Sequence, residues 1–167
     1  SSVSGEPVSG DWHLQVSDRY EGDDGRLVSW SLTGTAVQTS RTVQASISPS
    51  LQFDDTNPIT SRLELAAKGT VSPDEFEVEV DISHTWRSDV VIELEAPSGK
   101  RVTLRRVAAE DSGDNEKGAY PTNLRALTPF SELAGEALSG AWILHVSDQY
   151  AGDEGVLNSW GITQRQY

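Results

Sequence analysis

One motif occurs twice in this chain, and its spacing restricts the fold more than any other feature. Residues 5–30 read GEPVSGDWHLQVSDRYEGDDGRLVSW and residues 135–160 read GEALSGAWILHVSDQYAGDEGVLNSW, with 16 of 26 positions identical and no gap. The copies are offset by 130 residues, far beyond the roughly 20–50 residues of a solenoid unit. Such an offset suits two tandem domains, the first represented by its tail alone. Within each copy, Trp-x-Leu-x-Val alternates apolar and polar positions, the period of a β-strand. Trp142, Leu144 and Val146 alternate with Ile143 and His145. The stretch from Asp148 to Gly155 concentrates Asp and Gly, the residues of turns that need Asx hydrogen bonds or positive φ. A second strand follows, with Trp160 and Ile162 on one face and Leu157 on the other. The first copy repeats the pair through Trp12, Leu14 and Val16, then Trp30 and Leu32.

More strands are expected between the copies. Phe76, Val78, Val80 and Ile82 alternate with Glu77, Glu79 and Asp81, a half-buried strand with an acidic outer face. Val90, Ile92, Leu94 and Ala96 form another, Pro97-Ser98-Gly99-Lys100 makes a turn, and Val102–Val107 returns as a hairpin partner. Leu63 and Leu65 anchor an earlier strand. Residues 108–130 show no clean period and read as a long loop, with a helical turn around Phe130–Leu133. About eight short, mostly antiparallel strands predict an all-β, jelly-roll-like β-sandwich over residues 41–167. Residues 1–36 hold only two strands, too few for a core of their own, and residues 1–40 read as the C-terminal remnant of a preceding unit of the same kind plus linker. They could also exchange into a neighbouring molecule.

Composition narrows the function. The 167 residues carry a formal charge of −13, which disfavours nucleic acid and anionic membrane as partners. The absence of cysteine excludes disulfides, thiolate nucleophiles and zinc-thiolate sites. No apolar run reaches the roughly 20 residues of a membrane span. With no methionine, the chain reads as cut from something longer, any export signal lying upstream of Ser1.

No Gly-x-Ser-x-Gly nucleophile elbow is present. His13 and His145 fall at non-equivalent positions of the repeat and read as exposed strand residues, so catalysis by this chain is not expected. The turns Asp148-x-x-x-Gly-Asp153-Glu154-Gly and Asp18-x-x-x-Gly-Asp23-Asp24-Gly admit two readings. They suit a calcium ion held by carboxylate and carbonyl oxygens, and they equally suit plain turn chemistry. Asp54, Asp55, Asp111 and Asp114 are further candidate ligands. Trp12, Trp30, Trp142 and Trp160 read as packing residues, while Trp86 is the better candidate for stacking on a ligand.

Several segments together resemble the P domain (Homo B domain) of the proprotein convertases. These are Asp54-Asp55, Asp81-Ile-Ser-His84-Thr-Trp86-Arg-Ser-Asp89, Ala96-Pro97-Ser98-Gly99, Gly135-Glu136, Gly140-Ala-Trp142, and Val146-Ser-Asp148 through Trp160. In kexin and furin that domain follows the subtilisin-like catalytic domain, and it also occurs after secreted bacterial serine and metalloproteases. The resemblance implies a non-catalytic module that packs on and stabilises or regulates an upstream catalytic domain of a secreted, extracellular protease, of subtilisin type first and metalloprotease second. It implies calcium as a cofactor and His84, Asp89, Trp142 and Trp160 as structural motif residues, His84 either fixing the loop that carries Asp89 or orienting a metal. The unit of which residues 1–40 are the remnant is then P domain-like, and a neighbouring P domain is a further expected partner. The other function considered is an extracellular module that recognises a surface or matrix ligand. Ser88 departs from the glycine usual before the Asp of the His-Thr segment.

Overall fold

The computed structural model describes residues 10–22, 24–34 and 40–167. The chain divides into two units, Ser1–Thr39 and Ser40–Tyr167. The second unit holds nine strands: β1 (Arg41–Ile47), β2 (Leu51–Asp54), β3 (Ile59–Leu65), β4 (Phe76–His84), β5 (Val90–Glu95), β6 (Arg101–Arg105), β7 (Glu116–Tyr120), β8 (Gly140–Asp148) and β9 (Glu154–Gln166). Short 3-10 turns occupy Pro73–Glu75, Arg87–Asp89 and Phe130–Leu133. One sheet runs β1-β9-β4-β7, with β2 also paired to β9; the other runs β3-β8-β5-β6. Every pairing is antiparallel, so this unit is the expected all-β sandwich.

Period-2 alternation builds the core. Phe76, Val78, Val80 and Ile82 point inward from β4, Val90, Ile92 and Leu94 from β5, and Trp142, Leu144 and Val146 from β8, all buried. Each such side chain contributes about 1.5–3 kcal/mol through apolar burial. The ring of Phe76 meets Phe130 edge-on at 5.2 Å and Trp142 at 5.3 Å. Trp142 Nε1–H donates to the Leu138 carbonyl at 3.0 Å, and Trp160 Nε1–H donates across the sandwich to Ser61 Oγ at 2.8 Å. Both indoles therefore bury their area without leaving a polar atom unsatisfied.

Four expectations need correction. Leu157 faces the core together with Trp160 and Ile162, because the register shifts from Asp81↔Ser159 to Ile82↔Leu157 and leaves Asn158 as an extra residue. A β-bulge of this kind inverts the alternation. Asn158 turns outward, and its amide donates to Asp81 Oδ1 and Ser83 Oγ. Residues 108–130 are not a continuous loop, since β7 pairs there with β4 as an edge strand; five residues with Gly118 in the centre give too short a period to read. The strand expected over Val102–Val107 is Arg101–Arg105. Finally, the described residues 10–22 and 24–34 contain no strand. A strand exists through its ladder partners, and the neighbours that β8 and β9 use are already paired with β8 and β9.

Candidate functional site

The inward row of β4 continues one step beyond Ile82 to His84, and that of β8 one step beyond Val146 to Asp148. Alternation thus delivers two polar residues to the same end of the core. His84 Nε2 lies 3.1 Å from Asp148 Oδ2, and both side chains are fully buried. His84 Nδ1 accepts the Trp86 N–H at 3.0 Å. Because Nδ1 accepts, the ring proton sits on Nε2 and is donated to the carboxylate. Asp148 Oδ1 accepts the Tyr150 N–H at 3.0 Å. The imidazole stacks on Phe53, with centroids 5.6 Å apart and planes 18° apart. Gly155 passes directly over both rings, where a Cβ would lie 2.3 Å from Phe53 Cζ and 2.7 Å from His84 Cδ2.

His84 also anchors its surroundings through the backbone. Its N–H donates to Asn115 Oδ1, and its carbonyl accepts the Asn115 N–H at 2.8 Å. The adjoining 3-10 turn carries Asp89, whose carboxylate accepts the Ser88 hydroxyl and whose carbonyl accepts the Gln149 N–H. Ser88 is not among the residues with positive φ, so this turn imposes no demand for glycine. His84 and Asp89 therefore grip successive residues of one turn, Asp148 by its side chain and Gln149 by its backbone.

Chemically, this pair is a fixed hydrogen-bonded hub. A general base needs a free ring nitrogen within reach of a nucleophile's proton, and both nitrogens of His84 are committed. His145 Nε2 instead meets Glu95 Oε2 at 2.9 Å, and that hydrogen bond is the leading reason the Glu95 carboxyl lies below its usual range. Among the described residues, no serine or threonine hydroxyl is bonded to a histidine.

A second polar cluster, not anticipated from the sequence, ties the 3-10 turn to β6 and β7. Arg105 pairs with Asp111 at 2.6 Å and Glu116 at 3.2 Å, and Arg87 pairs with Asp111 at 3.0 Å. Tyr120 O–H donates to Glu116 Oε1 at 2.5 Å. Hydrogen bonds from Arg87, then Arg105, hold the Asp111 carboxyl well below the usual carboxylate range. Burial, reinforced by Glu116, pushes the Tyr120 phenol up. With residues 108–130 read as a loop, the sequence pointed to neither Glu116 nor Tyr120.

The carboxylates considered for calcium have separate placements. Asp148 has both oxygens engaged within the protein, and Asp111 is held by two arginines. Asp54 Oδ1 accepts from the Thr56 N–H and hydroxyl, the leading causes of its lowered pKa. Asp153 Oδ1 accepts the Thr85 hydroxyl at 2.8 Å. Asp54 and Glu154 are cross-strand partners of β2 and β9, while Asp55 and Asp114 are exposed. Among the described residues no three His, Asp or Glu side chains gather as an ion-holding group. Asp23 lies outside the described residues. Trp142 and Trp160 are core residues, whereas Trp86 remains about half exposed.

Two antiparallel sheets closed at one end by a buried, hydrogen-bonded histidine–aspartate pair define an all-β sandwich domain. The chain belongs to the proprotein convertase P-domain family, whose model matches residues 1–34 and 73–164. It is similar to the transglutaminase-activating metalloprotease of Streptomyces mobaraensis, with 31% identity over 105 residues, or 63% of this chain and 12% of that protein. It is also similar to the calcium-dependent protease of Nostoc sp. PCC 7120, with 27% identity over 159 residues, or 94% of this chain and 24% of that one. The solved serine protease of Aeromonas sobria aligns with a TM-score of 0.56 and 19% identity, covering 80% of this chain and 28% of that one. That structural likeness concerns the fold. The chain spans about an eighth to a quarter of the curated relatives' length.

Proposed function

We propose that the sandwich of residues 40–167 is the accessory P domain of a secreted protease and that it docks on and stabilises the catalytic domain of the same protein. The observation that carries this reading is the family match across the motif segments, joined to a His84 with no nitrogen free for catalysis. The metalloprotease and calcium-dependent protease among the relatives support a protease parent, and we place the subtilisin type first. A rigid folded surface that binds only the folded neighbour raises that neighbour's stability by linkage. The test compares thermal inactivation of the parent protease with that of a version lacking residues 40–167. A shortened half-life is expected, and an unchanged half-life with unchanged activity overturns the reading.

Calcium belongs to this proposal through the name of the Nostoc relative and through the carboxylates of Asp54, Asp55, Asp153 and Glu154 near the β2–β9 end. Calorimetric titration of the chain with calcium checks it. Saturable binding that Asp153→Asn with Glu154→Gln abolishes supports an ion there, and the absence of any heat removes calcium from this domain.

A further inference from the structure

The two copies of the repeat have the same inward-facing residues and opposite environments. In β8 and β9 up to Trp160, the buried positions are Trp142, Leu144, Val146, Asp148, Gly155, Leu157 and Trp160. The first copy has the identical residue at all seven: Trp12, Leu14, Val16, Asp18, Gly25, Leu27 and Trp30. Nine of the ten differences between residues 5–30 and 135–160 fall where the second copy is not buried, the exception being Val8 against Leu138. Yet Leu14, Val16, Leu27 and Trp30 are 48% to 68% exposed, against 0% to 1% for their counterparts. Apolar surface in that amount marks a face made to be covered.

The second copy shows what covers it. β8 lies between β3 and β5 in one sheet, and β9 lies between β1 or β2 and β4 in the other. Residues 10–34 thus match in sequence the inner strand of each sheet of such a sandwich. We infer that they are the closing strand pair of a second P-domain unit and bind a β1–β7 complement lying N-terminal to them in the parent polypeptide. Chain order supports that source, since β1–β7 precede β8–β9 in residues 40–167. A second copy of this chain is disfavoured as the occupant, because its own β1–β7 set is already filled by a covalently attached β8–β9 pair at high effective concentration.

Two measurements test the inference. In the parent protein, Leu14→Asp is expected to lower or abolish an unfolding transition separate from that of residues 40–167, while in the 167-residue chain it leaves the melting of the sandwich unchanged. A parent protein whose transitions are all unaffected overturns the inference. So does a dimer of the 167-residue chain that Leu14→Asp converts to monomer, which would make the second copy the occupant. The other measurement replaces residues 135–160 by the sequence of residues 5–30. A cooperatively folded chain with buried tryptophan emission is expected, and an unfolded chain rejects the equivalence of the two strand pairs.

Discussion

Asp18 and Asp148 open the same turn, and their fates differ. Each carboxylate accepts the N–H two residues on, Tyr20 or Tyr150, at 3.0 Å. Asp148 also receives the Nε2–H of His84 in a fully buried contact, whereas Asp18 is exposed. The turn is a local property that both copies reach from the same residues. The buried pair needs a histidine from a strand 64 residues away. The shared Asp-x-Tyr step therefore makes the same hydrogen bond in both copies, and only the surrounding strands turn one copy into a core.

The sharpest way to break this contrast is at the tryptophans. Trp160→Ala should cost about 3–5 kcal/mol, while Trp30→Ala in the same chain should change the stability of the sandwich by less than about 0.5 kcal/mol. Urea unfolding of the two variants measures both, and equal losses would show that the first copy is already packed. Next in size, Asp148→Ala should cost about 3 kcal/mol by leaving the buried imidazole donor unpaired. Asp18→Ala should alter melting of the sandwich little, which differential scanning calorimetry reads directly.

Smaller effects are expected from the cluster that the repeat does not contain. The folded state favours ionised Asp111, so its contribution is present above about pH 4 and is lost as pH falls below the ordinary carboxylate range. Asp111→Asn should lower the melting temperature at neutral pH and flatten its fall on acidification. Tyr120 behaves with the opposite sign. Its folded-state pKa is raised, so its contribution persists below about pH 10 and is lost as pH rises above that value. Tyr120→Phe should reduce the alkaline fall in melting temperature, and an unchanged pH profile would remove the phenol from the account.

Much of the sandwich was legible because its inner rows are long. Four apolar residues at every second position from Phe76 to Ile82 leave little choice about which face is buried. The same rows, extended one step, point to His84 and Asp148, although nothing local says that the two meet. The Arg105–Glu116–Tyr120 cluster was less legible, since β7 is a five-residue edge strand whose register comes from β4. Leu157 was misplaced for a related reason. One extra residue at Asn158 reverses the alternation, and the bulge is defined by its partner strand.

The sequence by itself determined the period-2 rows, the Asp-Gly turns, the repeat and the inward-facing set that both copies share. Those features depend on side-chain direction and backbone preference within a few residues. The tertiary structure decided the rest: the closure of the His84–Asp148 pair, the inversion at Asn158, and which of the two motif copies becomes core. The physical reason is that ladder hydrogen bonds and burial are supplied by neighbouring strands. Residues 140–166 have those neighbours within residues 40–120, whereas residues 10–34, with the same inward-facing side chains, present them to solvent.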